Sequence, residues 1–183
     1  LCDETLRKNF QVWQVYYPTN APLAFNRRAI HKAIQDTLLH FDPAAEHRAA
    51  QDIVLIGHSM GGVLSRLLVS ESGDQLWNPL VKTYKLQGER KERARKKLRH
   101  YAWFEPMPEV SRAIFIAAPH RGTPFAENRF SRWAASIVKL PVSMLGRVTE
   151  IAQLLVLPSS ANAEPLTRPL NSISNLSDQD PFV

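Results

Sequence analysis

The sequence predicts an α/β fold in which a mainly parallel sheet is flanked by helices. Segments of strand and helix character alternate along the first two thirds of the chain, as in folds built from β-α-β units. A continuous apolar run at 53–56 suits a strand that is covered on both faces. The composition, 44% hydrophobic and 22% charged among 183 residues, is that of an ordinary globular domain. It excludes a disordered chain, and the single cysteine, Cys2, excludes an internal disulfide framework.

The first predicted strand and helix lie before residue 44. Residues 12–17 are β-branched and aromatic and stop at Pro18, which predicts a strand. A helix is expected from Asn26, a suitable N-cap, to the Asp42-Pro43 pair. Apolar residues recur along it at the spacing of one buried helical face: Ala29, Ile30, Ala33, Ile34, Leu38 and Phe41.

The middle of the chain repeats the alternation. Residues 52–57 form the apolar strand, and an amphipathic helix follows that ends near Ser72-Gly73. The apolar positions of this second helix are Val63, Leu64, Leu67 and Leu68. A basic helical stretch comes next, with Leu86, Leu98 and Tyr101 as its apolar contacts and with Pro106 and Pro108 ending it. Residues 110–118 are the third predicted strand, 125–157 hold one or two amphipathic helices broken at Pro141, and the chain from Pro158 is predicted to be mostly loop.

The positive charge of the chain is concentrated in one segment. The whole sequence has 23 basic and 17 acidic residues, a net charge of +6 and a pI near 9.7. Residues 82–99 hold nine basic and two acidic residues, a net of +7, which leaves 14 basic and 15 acidic residues, a net of −1, elsewhere. Three hypotheses follow for 82–99: a solvated helix, a surface attracted to anionic membranes, or a nucleic-acid site. Nucleic acid is the least favoured, because few aromatic residues are interleaved with the basic ones.

The segment Gly57-His58-Ser59-Met60-Gly61 matches the pattern G-x-S-x-G between a strand and a helix. At a sharp strand-to-helix turn, the residues two before and two after the serine must lack a Cβ to avoid a clash. Such a turn exposes the serine hydroxyl and places the Met60 N–H at a helix N-terminus, where it can stabilise an oxyanion. Gly62 is expected to let the helix pack close to the strand. The pattern therefore predicts Ser59 as a nucleophile; a phosphate-binding turn is the alternative, and the G-x-G-x-x-G of dinucleotide sites is absent.

This stretch resembles the nucleophile elbow of the α/β-hydrolase family, in its lipase and esterase branch. A second stretch, IFIAAPHRGTP at 114–124, resembles the T-P-H-R-G-S segment that follows the next strand in bacterial lipases and related lipid-ester hydrolases. Tyr17-Pro18-Thr19 fits the strand that precedes the elbow strand. The similarity covers roughly residues 11–126. It implies a partial α/β-hydrolase fold and a serine hydrolase of carboxylic esters, with lipid esters as the expected substrates.

The resemblance also implies a division of the chain. Residues 1–126 would be the partial core, with a basic helical insertion at 82–105. Residues 127–157 would be a helical lid or cap, and 158–183 a loop leading to the missing C-terminal part of the core. In this family the triad runs Ser, acid, His, but no histidine follows His120. The catalytic acid and histidine are thus expected beyond Val183, and the 183-residue chain alone is expected to be inactive.

The histidines within the chain are assigned other roles. His58 is expected to point into the structure, and the family pattern implies that His120 holds its loop in place near the site. His31, His40, His47 and His100 are expected to be solvated. We expect no metal, since no cluster has ligand spacing, and no cofactor. The alternatives to an ester hydrolase are a non-catalytic binding or scaffold protein and an acyltransferase on the same fold.

Overall fold

The computed structural model describes residues 3–19 and 21–121. Its helices and strands follow in chain order: α1 (Glu4–Asn9), α2 (Leu23–Phe41), β1 (Ile53–His58), α3 (Met60–Leu68), α4 (Trp77–Thr83), α5 (Gly88–Ala102) and β2 (Val110–Ile116). A 3-10 turn at Arg48–Gln51 precedes β1. β1 and β2 pair in parallel, with Ile53 opposite Val110 and His58 opposite Ile116. The structure is thus a short parallel sheet flanked by helices, which confirms the predicted α/β class and is consistent with a partial α/β-hydrolase fold.

The main hydrophobic core lies where α3 packs between the sheet and α2. The four predicted apolar positions of α3, from Val63 to Leu68, are all buried. Ile30 and Ile34 of α2 pack against them, as do Phe104 and Met107 from the segment that leads into β2. The apolar face of α3 therefore holds the strand before it and the helix preceding that strand in one unit.

A second core cluster attaches the basic segment to the rest of the fold. Ala94 and Leu98 of α5 are buried against Trp77 of α4 and Phe25 of α2. Tyr101 stacks on Phe25 with ring centroids 4.4 Å apart. The predicted basic helix is confirmed, with a break between α4 and α5 around Leu86, which is itself buried in this cluster. The helix α4 was not predicted from the sequence.

Arg27 on α2 is a buried cation that the sequence did not single out. Only 5% of it is exposed, and burial lowers its pKa to about 10, so it stays charged at neutral pH. Its Nε donates to the Leu67 carbonyl at 3.4 Å and its Nη2 to the Glu105 carbonyl at 3.0 Å. The guanidinium also lies 4.1 Å from the centre of the Phe104 ring. Arg27 thus ties α2 to the end of α3 and to the segment before β2.

Replacing Arg27 with alanine is expected to lower the free energy of unfolding by about 2–3 kcal/mol, because two carbonyls lose a charged donor and Phe104 loses its packing partner. Arg28→Ala is the matched control. Arg28 is half-exposed and lies over the Tyr101 ring at 5.0 Å, so its loss should cost no more than about 1 kcal/mol. Urea denaturation of both variants measures the difference. Equal losses of unfolding free energy in the two variants would mean that the buried hydrogen bonds of Arg27 do not stabilise the fold.

The predicted strand at 12–17 is wrong. Among the described residues the sheet contains only β1 and β2, and 12–17 pairs with neither. Its apolar side chains are exposed, with Tyr16 at 88%. A segment of high β-propensity remains irregular when its N–H and C=O groups have no neighbouring strand to bond. Tyr17 differs from the rest of the segment because it is half-buried against the main core.

The first long helix begins earlier than predicted. α2 starts at Leu23 after Pro22, so Asn26 lies inside the first turn and is fully buried. Its Nδ2 donates to the Pro18 carbonyl at 2.8 Å and to that of Ala21 at 3.3 Å, which holds the preceding loop against the helix. The helix ends at Phe41 before Asp42, as predicted.

The buried face of α2 is narrower than predicted. Ile30 and Ile34 are buried, whereas Ala29, Ala33 and Phe41 are exposed, because the core covers only one edge of the apolar stripe. His31 is half-buried beside it, which contradicts its expected solvation, while His40, His47 and His100 are exposed as predicted.

The sheet is covered on one face within the described residues. α3 packs on one side, but Ile56 of β1 is 67% exposed, and Ile114 and Ile116 of β2 are exposed as well. The expectation that β1 is covered on both faces is therefore wrong for the part of the chain that the structure describes. The predicted lid at 127–157 and loop at 158–183 lie outside the described residues.

α1 was not predicted from the sequence, although it has a recognisable start signal. The Asp3 carboxylate caps it by accepting from the Leu6 N–H at 2.9 Å. None of its residues is buried. None of the helices within 3–19 and 21–121 has the length and apolar character needed to span a bilayer.

Candidate functional site

Ser59 lies at the turn that joins β1 to α3. Its backbone has φ 53° and ψ −123°, a conformation that non-glycine residues avoid. Its N–H donates to the Ile116 carbonyl at 2.9 Å, which ties the turn to the end of β2, and its own carbonyl accepts from the Gly62 N–H at 2.9 Å. The Ser59 side chain is exposed. The strained turn therefore presents the hydroxyl at the carboxyl end of both strands.

The three glycines around this turn differ in how much space they have. A Cβ at Gly57 would lie 2.4 Å from the Gly61 carbonyl oxygen, and one at Gly62 would lie 2.4 Å from the Ala118 Cβ. A Cβ at Gly61 would meet only the Tyr17 hydroxyl at 3.5 Å, an ordinary contact. The expected steric need at Gly61 is thus wrong, because the helix turns this position toward Tyr17 and not toward the strand. The close approach expected at Gly62 is present.

Met60 combines a buried side chain with a backbone N–H at the start of α3. The side chain belongs to the main core, which fixes the first turn of the helix. The first N–H groups of a helix have no acceptor within the helix itself, and the helix dipole favours negative charge beside them. The Met60 N–H is one of these first N–H groups and follows directly after the exposed Ser59.

The segment after β2 packs along α3. Ala117 has a positive φ of 47°, so backbone strain occurs at the ends of both neighbouring strands. Ala118 touches the helix at Gly62, and the His120 carbonyl accepts from Arg66 Nη1 at 3.3 Å. These contacts hold the segment beside the turn.

His120 and His58 occupy different environments. The His120 ring packs edge-on against Phe115 with centroids 4.9 Å apart, and its buried Nδ1 has no hydrogen-bond partner among the described residues. His58 is exposed, so the expectation that it points into the structure is wrong: the strand face that it occupies is not covered in the described part of the chain. Neither histidine forms a hydrogen bond to the Ser59 hydroxyl within residues 3–19 and 21–121.

Sequence reasoning missed Arg66 and the role of Tyr17 beside the turn. Arg66 was visible as the single charge in an otherwise apolar helix, which is a signal for a specific contact. Tyr17 was assigned to a strand, yet it is the side chain that lies against Gly61, and burial raises the pKa of its hydroxyl. Ala117 carries no sequence signal, because alanine does not favour a positive φ. The described residues contain no group of three or more potential metal ligands.

Acidification is expected to destabilise the protein through His31 and His120. Burial lowers the pKa of both imidazoles below the ordinary 6.5, helped by Arg27 at His31 and by Arg66 at His120, while Glu109 partly opposes the shift at His31. The unfolded chain therefore binds more protons, and the stability present above pH 6.5 is lost as the pH falls from there through the folded-state pKa values.

Urea unfolding between about pH 7.5 and pH 5.5 measures this loss. The double variant His31→Gln/His120→Gln should lose less stability than the wild type over the same interval. An equally steep loss in the double variant would show that other groups cause the pH dependence.

Residues 23–84 match the family model described as PGAP1-like alpha/beta domain, an α/β-hydrolase-like family. The matched range runs from the start of α2 to the end of α4 and contains the Ser59 turn. No curated protein and no solved structure matches the chain. The match supports a hydrolase-type function on an α/β fold.

Proposed function

We propose that the protein is a serine hydrolase of carboxylic esters, with Ser59 as its nucleophile. The observation that carries the proposal is the conformation of Ser59, an exposed serine at φ 53° directly between a parallel strand and a helix. Strained backbone persists only where the surroundings impose it, and it concentrates at functional sites. Here Gly57 and Gly62 make room for the turn, and the hydrogen bond from Ser59 to Ile116 holds it against β2.

The proposed reaction has two steps. Ser59 Oγ attacks the ester carbonyl carbon while a base removes the hydroxyl proton, and the Met60 N–H donates to the oxyanion of the tetrahedral intermediate. The C–O bond to the alcohol breaks, the alcohol leaves with the proton, and an acyl-Ser59 ester remains. Water, deprotonated by the same base, then attacks the acyl carbon and releases the carboxylic acid and free Ser59.

We assign the base to a histidine other than His58 and His120, oriented by an acidic residue. Two observations support this assignment. Neither imidazole forms a hydrogen bond to the Ser59 hydroxyl within residues 3–19 and 21–121, and the ring of His120 is engaged with Phe115. The contacts of the His120 segment run to α3 through Arg66, which supports a role in positioning the strand end.

Lipid esters are the proposed substrate class. Ile116, whose carbonyl accepts from the Ser59 N–H, is exposed, and Ile56 and Ile114 are exposed on the same two strands. An apolar surface beside the nucleophile suits an acyl chain, since burying it against such a surface is favourable by roughly 0.8 kcal/mol per methylene. Substrates with longer acyl chains are therefore expected to react with a lower KM.

The test is covalent labelling of the product of the entire reading frame with a fluorophosphonate probe, which reacts with activated serines. Mass spectrometry should find the adduct on the peptide that contains Ser59, and Ser59→Ala should remove it. Ser111→Ala is the matched control, because this exposed serine lies at the opposite end of β2, where its Oγ donates to the Ile53 carbonyl. Labelling that survives Ser59→Ala would overturn the assignment of Ser59 in favour of another nucleophile, and the absence of labelling would overturn the proposal in favour of a binding or scaffold role.

A further inference from the structure

The second half of α5 presents an uninterrupted set of exposed cations. Residues 93–99 contain five basic residues and no acidic one, and all five are exposed. We call this set the basic face: Arg93, Arg95, Lys96, Lys97 and Arg99. The two acidic residues of the helix, Glu89 and Glu92, lie nearer its start, and Glu89 approaches Arg93 only to 3.9 Å. An exposed ion pair of this length is weak, so Glu89 does little to neutralise the charge of Arg93.

The apolar side of α5 is buried against the rest of the domain. Ala94, Leu98 and Ala102 are buried against the domain. Arg95 lies 5.7 Å from the Trp103 ring centre, which further orders the helix end. An amphipathic helix that inserts into a bilayer needs a free apolar face. This helix has none to offer, so any surface it binds must be held by charge.

Neighbouring segments extend the positive surface. Lys82 at the end of α4 and Lys85 in the following turn are exposed, and α4 packs beside α5 in the second core cluster. Arg28 of α2 lies over the Tyr101 ring of α5 at 5.0 Å. Lys82, Lys85 and Arg28 thus lie on segments that contact or adjoin α5. The chain outside 82–99 has a net charge of −1, so the excess positive charge of the sequence is concentrated in this segment.

We propose that the basic face docks the protein on anionic phospholipid membranes. Clusters of four to eight basic residues on a helix are attracted to such surfaces, and the attraction falls off within a Debye length. The aromatic side chains favour lipid over single-stranded nucleic acid, which binds by stacking its bases on exposed rings. Tyr101 stacks on Phe25, and Trp103 packs against Trp77 while its indole N–H donates to Asp74 at 2.9 Å. The Tyr101 and Trp103 rings therefore make their contacts within the protein and do not form a platform for stacked bases.

The expected effect is large and depends on salt. Each basic residue close to an anionic membrane strengthens binding by about fivefold. Neutralising Arg93, Lys96 and Arg99 should therefore weaken binding by at least about tenfold and by up to about a hundredfold. Raising the salt from about 0.05 M to about 0.5 M should release the wild-type protein, because no apolar group is inserted.

The experiment is vesicle co-sedimentation of the 183-residue chain, with phosphatidylcholine vesicles that contain or lack phosphatidylserine. The test variant is Arg93→Gln/Lys96→Gln/Arg99→Gln. The matched control is Arg7→Gln/Lys8→Gln/Lys32→Gln, which removes the same charge from exposed positions on α1 and α2. Ser59→Ala should bind as the wild type does, so this result and that of the hydrolase proposal are independent. Duplex DNA at the same salt is the competing ligand.

Salt-sensitive binding to phosphatidylserine vesicles that the test variant loses and the control keeps would establish the proposal. Three results would overturn it: no binding by the wild type, equal loss in both triple variants, or displacement from the vesicles by DNA at an equal concentration of phosphate. Equal loss of vesicle binding would mean that binding depends only on the net charge of the protein. Displacement by DNA would mean that the basic face binds nucleic acid in preference to membranes.

Discussion

Ser59→Ala is expected to reduce ester hydrolysis by the product of the entire reading frame by roughly 10⁴-fold or more, with little change in stability. The loss follows from the mechanism, since no covalent acyl intermediate can form without the Oγ nucleophile. Stability should stay within about 0.5 kcal/mol, because the side chain is exposed and alanine occupies the same backbone conformation. Initial rates on a p-nitrophenyl ester measure the activity, and urea denaturation measures the stability.

The contributions of the oxyanion donor and of the base can be measured separately in this assay. The Met60 N–H belongs to the backbone and remains in Ser59→Ala, so a residual rate above that in buffer reports its contribution. The double variant His58→Gln/His120→Gln should keep Ser59-dependent turnover, because neither imidazole forms a hydrogen bond to the Ser59 hydroxyl among the described residues. Loss of turnover in that variant would contradict our assignment of the base to another histidine.

Gly57→Ala is expected to destabilise the protein by about 3 kcal/mol. The new methyl group would lie 2.4 Å from the Gly61 carbonyl oxygen and 2.6 Å from the Gly62 Cα, which are backbone atoms that cannot rotate away. Overpacking of this kind forces the turn apart, and the strained Ser59 backbone adjoins it. Thermal or urea unfolding gives the change in free energy, and loss of the Ser59 conformation should abolish fluorophosphonate labelling as well.

Gly61→Ala is the matched control for that substitution. Its Cβ would meet only the Tyr17 hydroxyl at 3.5 Å, and glycine in a helix is less stable than alanine by roughly 0.5–1 kcal/mol. The variant should therefore be neutral or slightly stabilised. A loss at Gly61 as large as that at Gly57 would mean that the turn is tighter than the structure shows.

The local parts of the site could be predicted because their causes are local. The continuous apolar run and the periodic leucines of α3 specify a strand followed by a helix. The glycines on both sides of Ser59 specify the turn between them. The close approach at Gly62 and the hold on the Ser59 turn also need the end of β2, through Ala118 and the Ile116 carbonyl. The same reasoning predicted a steric need for glycine at position 61, which the structure does not show. The packing of α3 decides which side of the helix faces the strand, and that packing cannot be deduced from the turn itself.

The errors have a common cause in contacts between distant residues. Residues 12–17 have strand composition, but pairing requires a partner strand. Asn26 has the chemistry of an N-cap, but it lies inside the helix and donates to the Pro18 and Ala21 carbonyls. His58 was expected to be buried, and the exposed sheet face leaves it in solvent. In each case the side chain has two acceptable environments, and only the distant partner selects between them.

By itself, the sequence determined the α/β class, the serine at its strand-to-helix turn and the concentration of charge in 82–99, because each depends on residues within a few positions of one another. Only the tertiary structure decided that Arg27 links three segments and that Arg66 and Ala118 hold the end of β2 against α3. It also decided that the apolar side of the basic helix is buried against the domain. These features join residues far apart in the chain. Their energies come from burial and from hydrogen bonds that exist only after the chain has folded.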